Sequence, residues 1–221
     1  MAQIAVFTLS ILLSGMMLSN LVEEKSGKIL EILAASVPID AIFLGKLVAM
    51  LGVALVAALL WGGAGAALKL LLHMPLPPRA VPAMGWPAFL LIAGLYFVMS
   101  YSLLGSLMLG VGSLAGTVRE VQMLSLPVTF AQFILFMLAH STIHALGHAS
   151  ELAAATFPFS SPFAMVARAA EQAALWPHLL ALSWQALWVA ITVRVAAKLF
   201  RRNVIQSRGP VGIRFWPRRG R

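Results

Sequence analysis

The sequence predicts an all-α protein: a polytopic bundle of about five membrane-spanning helices. An amphipathic helix is expected at one membrane surface and a short interfacial or re-entrant helix at the other. Three observations predict this. Of the 221 residues, 61% are hydrophobic and only 10% are charged, with a mean hydropathy of +0.92. A soluble domain carries roughly 25% charged residues, so lipid must be the solvent for most of this surface. Five stretches reach the ~20 apolar residues that a bilayer crossing needs. Finally, the net charge of +9 is concentrated at one end. Arg194, Lys198, Arg201, Arg202, Arg208, Arg214, Arg218, Arg219 and Arg221 carry no accompanying acid, and the rest of the chain is neutral.

The expected spans are residues 2–21, 41–72, 88–113, 123–139 and 176–200, followed by a basic tail over 201–221. The first is a retained helix rather than a signal peptide. It has no positive n-region, and Glu23 and Glu24 follow it in place of a small-residue cleavage site. The second is long enough to tilt or to extend beyond the bilayer. A basic tail directly after a span is a positive-inside signal, and it can also meet anionic head groups. It places the C-terminus in the cytoplasm, residues 22–40 and 114–122 inside, and residues 73–87, 140–175 and the N-terminus outside. Lys25, Lys28 and Arg119 then lie inside, and Arg79 and Arg168 outside.

The loops differ in character. Residues 73–87 are proline-rich and cannot form a regular helix. In 140–175 the run from Thr156 is broken by Pro158 and Pro162, after which Ala164–Leu175 is expected to form a short helix in or dipping into the outer interface. Between spans, Ser102, Ser106 and Gly110 recur every fourth residue, and Gly112 stands four before Gly116. Such spacing lets helix backbones approach closely in lipid, within a bundle or across a dimer face.

The segment Val22–Lys46 is the most charged part of the chain before the tail. Glu24, Lys28 and Glu31 form one polar stripe with a favourable Glu-to-Lys pair, opposite Ile29, Leu30, Ile32 and Leu33. Pro38 stops this helix, and Asp40 is placed to cap the next. Such a helix either rests on the membrane surface or docks a partner. His140, His144 and His148 stand four apart, a spacing at which two histidines can share a metal. However, the run His140–His144 lacks the glutamate of the zinc-peptidase pattern, Gly147 interrupts it, and no metal site is expected there. The sequence also lacks a nucleophile elbow, an acid deep in a span and a glycine-rich phosphate loop, so the chain cannot hydrolyse ATP by itself. With no cysteine there are no disulfides, thiolate metal sites or cysteine nucleophiles. No nucleic-acid-binding module accompanies the basic charge.

The charged segment resembles the cytoplasmic loop of ABC transporter permeases of the type-2 exporter family. The matching features are Glu23, Glu24 and Lys25; the helix Lys28–Ala35; the Ser36-x-Pro38 turn; and Gly45-Lys46 opening the next span. Arg119-Glu120 ahead of a span with a central Pro127, and Phe157-Pro158-Phe159-Ser160-Ser161-Pro162 ahead of Arg168, resemble two further elements in the same order. The resemblance implies a sodium- or drug-exporter-like permease in a bacterial inner membrane, paired with a second copy and with two ATP-binding subunits that hold ATP and magnesium. Glu23, Glu24, Lys25, Lys28, Glu31, Arg119 and Glu120 would couple to those subunits. Pro158, Ser160, Ser161, Pro162 and Arg168 would shape the outer gate. Family permeases have six helices and an internal N-terminus. Five here imply a chain that starts at the family's second helix, without the first helix and the extracytoplasmic domain that often follows it, as if Met1 lay inside a longer ancestral gene. The spans lack a charged pathway, which favours an apolar or amphipathic cargo. Two other readings stay open: an intramembrane metal-dependent enzyme using the histidine row, and a non-catalytic membrane scaffold.

Overall fold

Among the described residues of the computed structural model (2–26, 36–73, 81–115, 117–143 and 147–206) the regular elements are seven helices. They are α1 (Ala2–Ser26), α2 (Ile39–Leu71), α3 (Trp86–Leu114), α4 (Val118–Ser141), α5 (Ala149–Thr156), α6 (Ser161–Glu171) and α7 (Trp176–Gln206). Five of them, all but α5 and α6, are long and apolar enough to cross a membrane.

Local chemistry sets several boundaries. Pro87 sits in the first turn of α3, where its missing N–H is no loss, and Gly85 enters that turn with φ 79°, a conformation that favours glycine. Thr117 caps α4, its hydroxyl accepting the Glu120 N–H at 3.2 Å. Thr117 and Glu120 have the capping-box spacing, and the Glu120 N–H is the donor that the cap satisfies. Pro127 lies inside α4 and removes one backbone donor from it. For α2, by contrast, the residue expected as its cap is not the cap. Pro38 is, its carbonyl accepting from the Ala41 and Ile42 N–H groups, while Asp40 sits in the first turn.

The helix α3 is the hub, packed against α1, α2, α4, α6 and α7. Its small residues take different partners. A Cβ on Gly110 would stand 3.1 Å from Ala196 Cβ and 3.3 Å from its Cα, so this glycine sets the α3–α7 approach. A Cβ on Gly112 would overlap the side chains of Leu18 and Leu21 on α1. Ser102 and Ser106 are also buried, Ser106 donating to the Leu103 carbonyl. However, α3 ends at Leu114 with Ala115 extended. The Gly112-to-Gly116 spacing therefore does not run along one helix, and Gly116 lies outside the described residues. Near the other end of the bundle, Phe7 stacks on Phe136 with ring centroids 4.1 Å apart and meets Phe163 edge-on at 5.6 Å, tying α1, α4 and α6 together. From Leu59 to His73 every residue of α2 and its C-terminal turn is exposed, so this half of the helix leaves the bundle.

Candidate functional site

The charged residues of the spans and their loops gather at two opposite ends. One end holds the C-termini of α1, α3 and α7 and the N-termini of α2 and α4. There the Lys46 ammonium lies 2.5 Å from a Glu24 carboxylate oxygen, with side chains 8% and 32% exposed. Arg201 meets Asp40 at 3.2 Å with both side chains about half-exposed, a pair that contributes little. Asn203 on α7 donates to Ser113 Oγ on α3 at 3.0 Å. Glu23, Arg119 and Glu120 are exposed at the same end. The Lys25 side chain, Lys28, Glu31, the expected amphipathic helix Lys28–Ala35 and the tail from Ser207 lie outside the described residues.

A slot of about 380 Å³ opens beside Glu23 between α1, α3 and α4. Ser19, Gln122, Ser125 and Thr129 give it a polar side, and Leu18 and Met108 an apolar one. Its lining on α1 runs from Glu23 to Ile11, a depth of roughly 18 Å at 1.5 Å per residue. Its shape and lining suit a molecule with a polar head and an apolar body.

The opposite end is built around α5 and α6, which form a helical hairpin. Sequence reasoning expected one helix here, Ala164–Leu175. The structure has two, and Pro162 opens α6 from its first turn rather than breaking the run before it. The tip, Phe157–Ser160, reaches deep between α4 and α7. Gln132, nine residues inside the end of α4, donates to Phe159 O at 3.2 Å. Gln185, nine residues inside the start of α7, donates to Pro158 O at 2.7 Å, and Trp184 Nε1 donates to Thr156 O at 2.7 Å. Nine residues of helix is about 14 Å, well inside both spans. Non-helical backbone survives at that depth only where protein satisfies it, and these three side chains do so from two different spans. Ser160 Oγ, fully buried, donates to Ala154 O at 2.7 Å. Pro158 and Ser161 complete the tip, both buried.

The hairpin also holds a buried ion pair. Arg168 Nη1 lies 2.9 and 3.1 Å from the two oxygens of Glu151, whose side chain is 2% exposed. The second oxygen also accepts the Gly147 N–H at 3.1 Å. Gly147 has φ 83°, so a side chain there would strain the turn that delivers Glu151. Nearby, Tyr96 Oη on α3 lies 3.2 Å from Nδ1 of the buried His178 on α7.

The two described histidines of the row have separate surroundings. His140 Nδ1 lies 3.2 Å from Gln3 Oε1 on α1, α4 ends at Ser141, and His148 caps α5 beyond a left-handed glycine. His144 lies outside the described residues. Among the described residues no three of His, Asp and Glu stand close enough to share a metal. Sequence reasoning missed Glu151 as the partner of Arg168, and Gln132, Trp184 and Gln185 as supports of the tip. The available signal was polarity: two glutamines in apolar spans, and one acid and one base 17 apart in the loop.

The family model described as ABC-2 family transporter protein matches residues 1–198. An uncharacterized protein of the archaeon Methanocaldococcus jannaschii is 26% identical over 195 residues, covering 87% of this chain and 46% of that protein. The chain thus spans just under half the length of that relative. No solved structure matches.

Proposed function

The chain belongs to the ABC-2 family of transporter proteins, and from that premise we propose that it is the permease subunit of an ATP-driven exporter. It is a multi-pass membrane protein of a transport family, and any ATP hydrolysis belongs to a separate ATP-binding subunit. One observation carries the reading. The family-like charges Glu23, Glu24, Arg119 and Glu120 share one end of the bundle, and the hairpin bearing Pro158, Ser160, Ser161, Pro162 and Arg168 occupies the other.

In this reading the charged end faces the cytoplasm. Glu23, Lys25, Lys28, Glu31, Arg119 and Glu120 meet the ATP-binding subunits, and a second permease copy completes the transporter. Closure of those subunits on ATP moves the charged end as a rigid body. The slot between α1 and α4 admits an amphipathic cargo, and the α5–α6 hairpin closes the exit.

Two measurements test this. An ATP-binding subunit from the same organism should co-purify with it in detergent, and in proteoliposomes the ATPase rate of that subunit should rise at least tenfold over that of the isolated subunit. Failure to assemble with any ATP-binding subunit would remove the transporter reading. Sidedness is open to direct labelling, since the chain has no cysteine. Single cysteines at Ala83 and Ser150 should react with an impermeant thiol reagent on intact cells, while one at Ser207 should react only after lysis. Labelling at Ser207 with protection at Ser150 would invert the topology.

A further inference from the structure

The acid pair at the end of α1 was expected to face a partner. The structure gives Glu24 a partner within the chain. Its carboxylate is engaged by Lys46, whose side chain is 8% exposed and lies seven residues into α2. A lysine this enclosed at the edge of an apolar helix needs a counter-charge in place, and Glu24 supplies it at hydrogen-bond distance, a charge-assisted contact. The same first turns of α2 are held on their other side by Asp40, which pairs with Arg201 on α7. The two charges at the start of α2 are therefore bound to two different helices. Of the two pairs only Glu24–Lys46 is enclosed, and only it bridges α1 and α2, the helices that enter and leave the segment 27–38.

We infer that Glu24 and Lys46 are a positioning pair: their contact fixes the C-terminal end of α1 and the N-terminal end of α2 against each other. Neither residue touches the ATP-binding subunit. Glu23, one residue away, is exposed and lines the slot. The consequence for transport rests on the permease reading above: the pair makes α1 and α2 move together at this end of the bundle.

The test separates positioning from transport. Spin labels on cysteines at Ser26 and Val37 report the distance across the segment in the full chain, reconstituted without any partner. The native pair should give a narrow distance distribution. Glu24→Gln and Lys46→Met should each broaden it about twofold, and the exchange Glu24→Lys with Lys46→Glu should narrow it again. An unchanged width in Lys46→Met, or no recovery in the exchanged pair, would overturn the positioning role whatever the protein's function. In the complex with its ATP-binding subunit, each single variant should lower stimulated ATPase about tenfold while still assembling, and the exchange should recover to within about threefold. Recovery of width without recovery of ATPase would instead show that the Glu24 carboxylate contacts the subunit directly. Absence of any complex removes the permease reading and leaves the distance measurement to decide the pair.

Discussion

Replacing Glu151 by alanine should destabilise the protein by about 3–5 kcal/mol, the cost of stranding one member of a buried ion pair. The Glu151 side chain is 2% exposed and that of Arg168 16%, so little water is at hand to take over. The loss reaches beyond the Coulomb attraction. Arg168 Nε is already buried without a hydrogen-bond partner, and the guanidinium would keep no acceptor among those it now has. The Gly147 N–H, which donates to the same carboxylate, would lose its acceptor as well. Removing Arg168 in the same molecule should restore part of the stability, since an apolar pair of similar size is often as stable as the ion pair it replaces. The measurement is a double-mutant cycle on Glu151→Ala and Arg168→Met, by unfolding in mixed micelles. A coupling of at least about 2 kcal/mol is expected between them. A cost below about 1 kcal/mol for Glu151→Ala would mean that the pair is solvated in the membrane-embedded protein.

The spans were legible because hydrophobicity over some twenty residues is a property of the chain itself. Boundaries written in one or two residues come from the structure instead: Pro87 in a first turn, and Thr117 three residues before Glu120. What the sequence concealed depends on which helices become neighbours. Asp40 was expected to serve its own helix, yet it faces an arginine 161 residues away. The capping role fell to Pro38, whose carbonyl accepts the first N–H groups although its side chain contributes nothing. The interruption of the histidine row, by contrast, is legible at Gly147. A four-residue spacing aligns side chains only while one helix continues, and here α4 stops at Ser141 and the chain turns through Gly147. Pro162 shows the limit of treating proline as a breaker, because the same ring that ends one helix is well placed to start another. The two glutamines were visible as polar residues in apolar spans, but no local pattern could reveal that both point at the same turn of a hairpin between them.

That turn is where the second large effect is expected. The tip between α5 and α6 exposes backbone carbonyls about 14 Å inside the bundle, where hydrocarbon offers no donor. Gln132 serves Phe159 O, Gln185 serves Pro158 O, and Trp184 serves Thr156 O. Exchange of a glutamine for leucine keeps the approximate volume and removes the donor, leaving a buried acceptor unsatisfied at about 1–3 kcal/mol. Gln185→Leu should cost more than Gln132→Leu, because its bond is shorter, 2.7 against 3.2 Å, and its side chain is fully buried. The two losses act on one tip, so in combination they should fall short of their sum. The tip should also loosen locally before the bundle unfolds, since each carbonyl can recover a partner only by moving toward water. A cysteine at Ala154, fully buried beside the tip, reports this. It should react slowly with a thiol reagent in the otherwise native chain and at least tenfold faster in Gln132→Leu/Gln185→Leu. If both stability and labelling rate stay unchanged, these carbonyls have other donors in the membrane and the glutamines do not hold the tip. If labelling accelerates while α4 and α7 remain packed, the hairpin can move apart from the spans that flank it, which is the freedom that an exit closure requires.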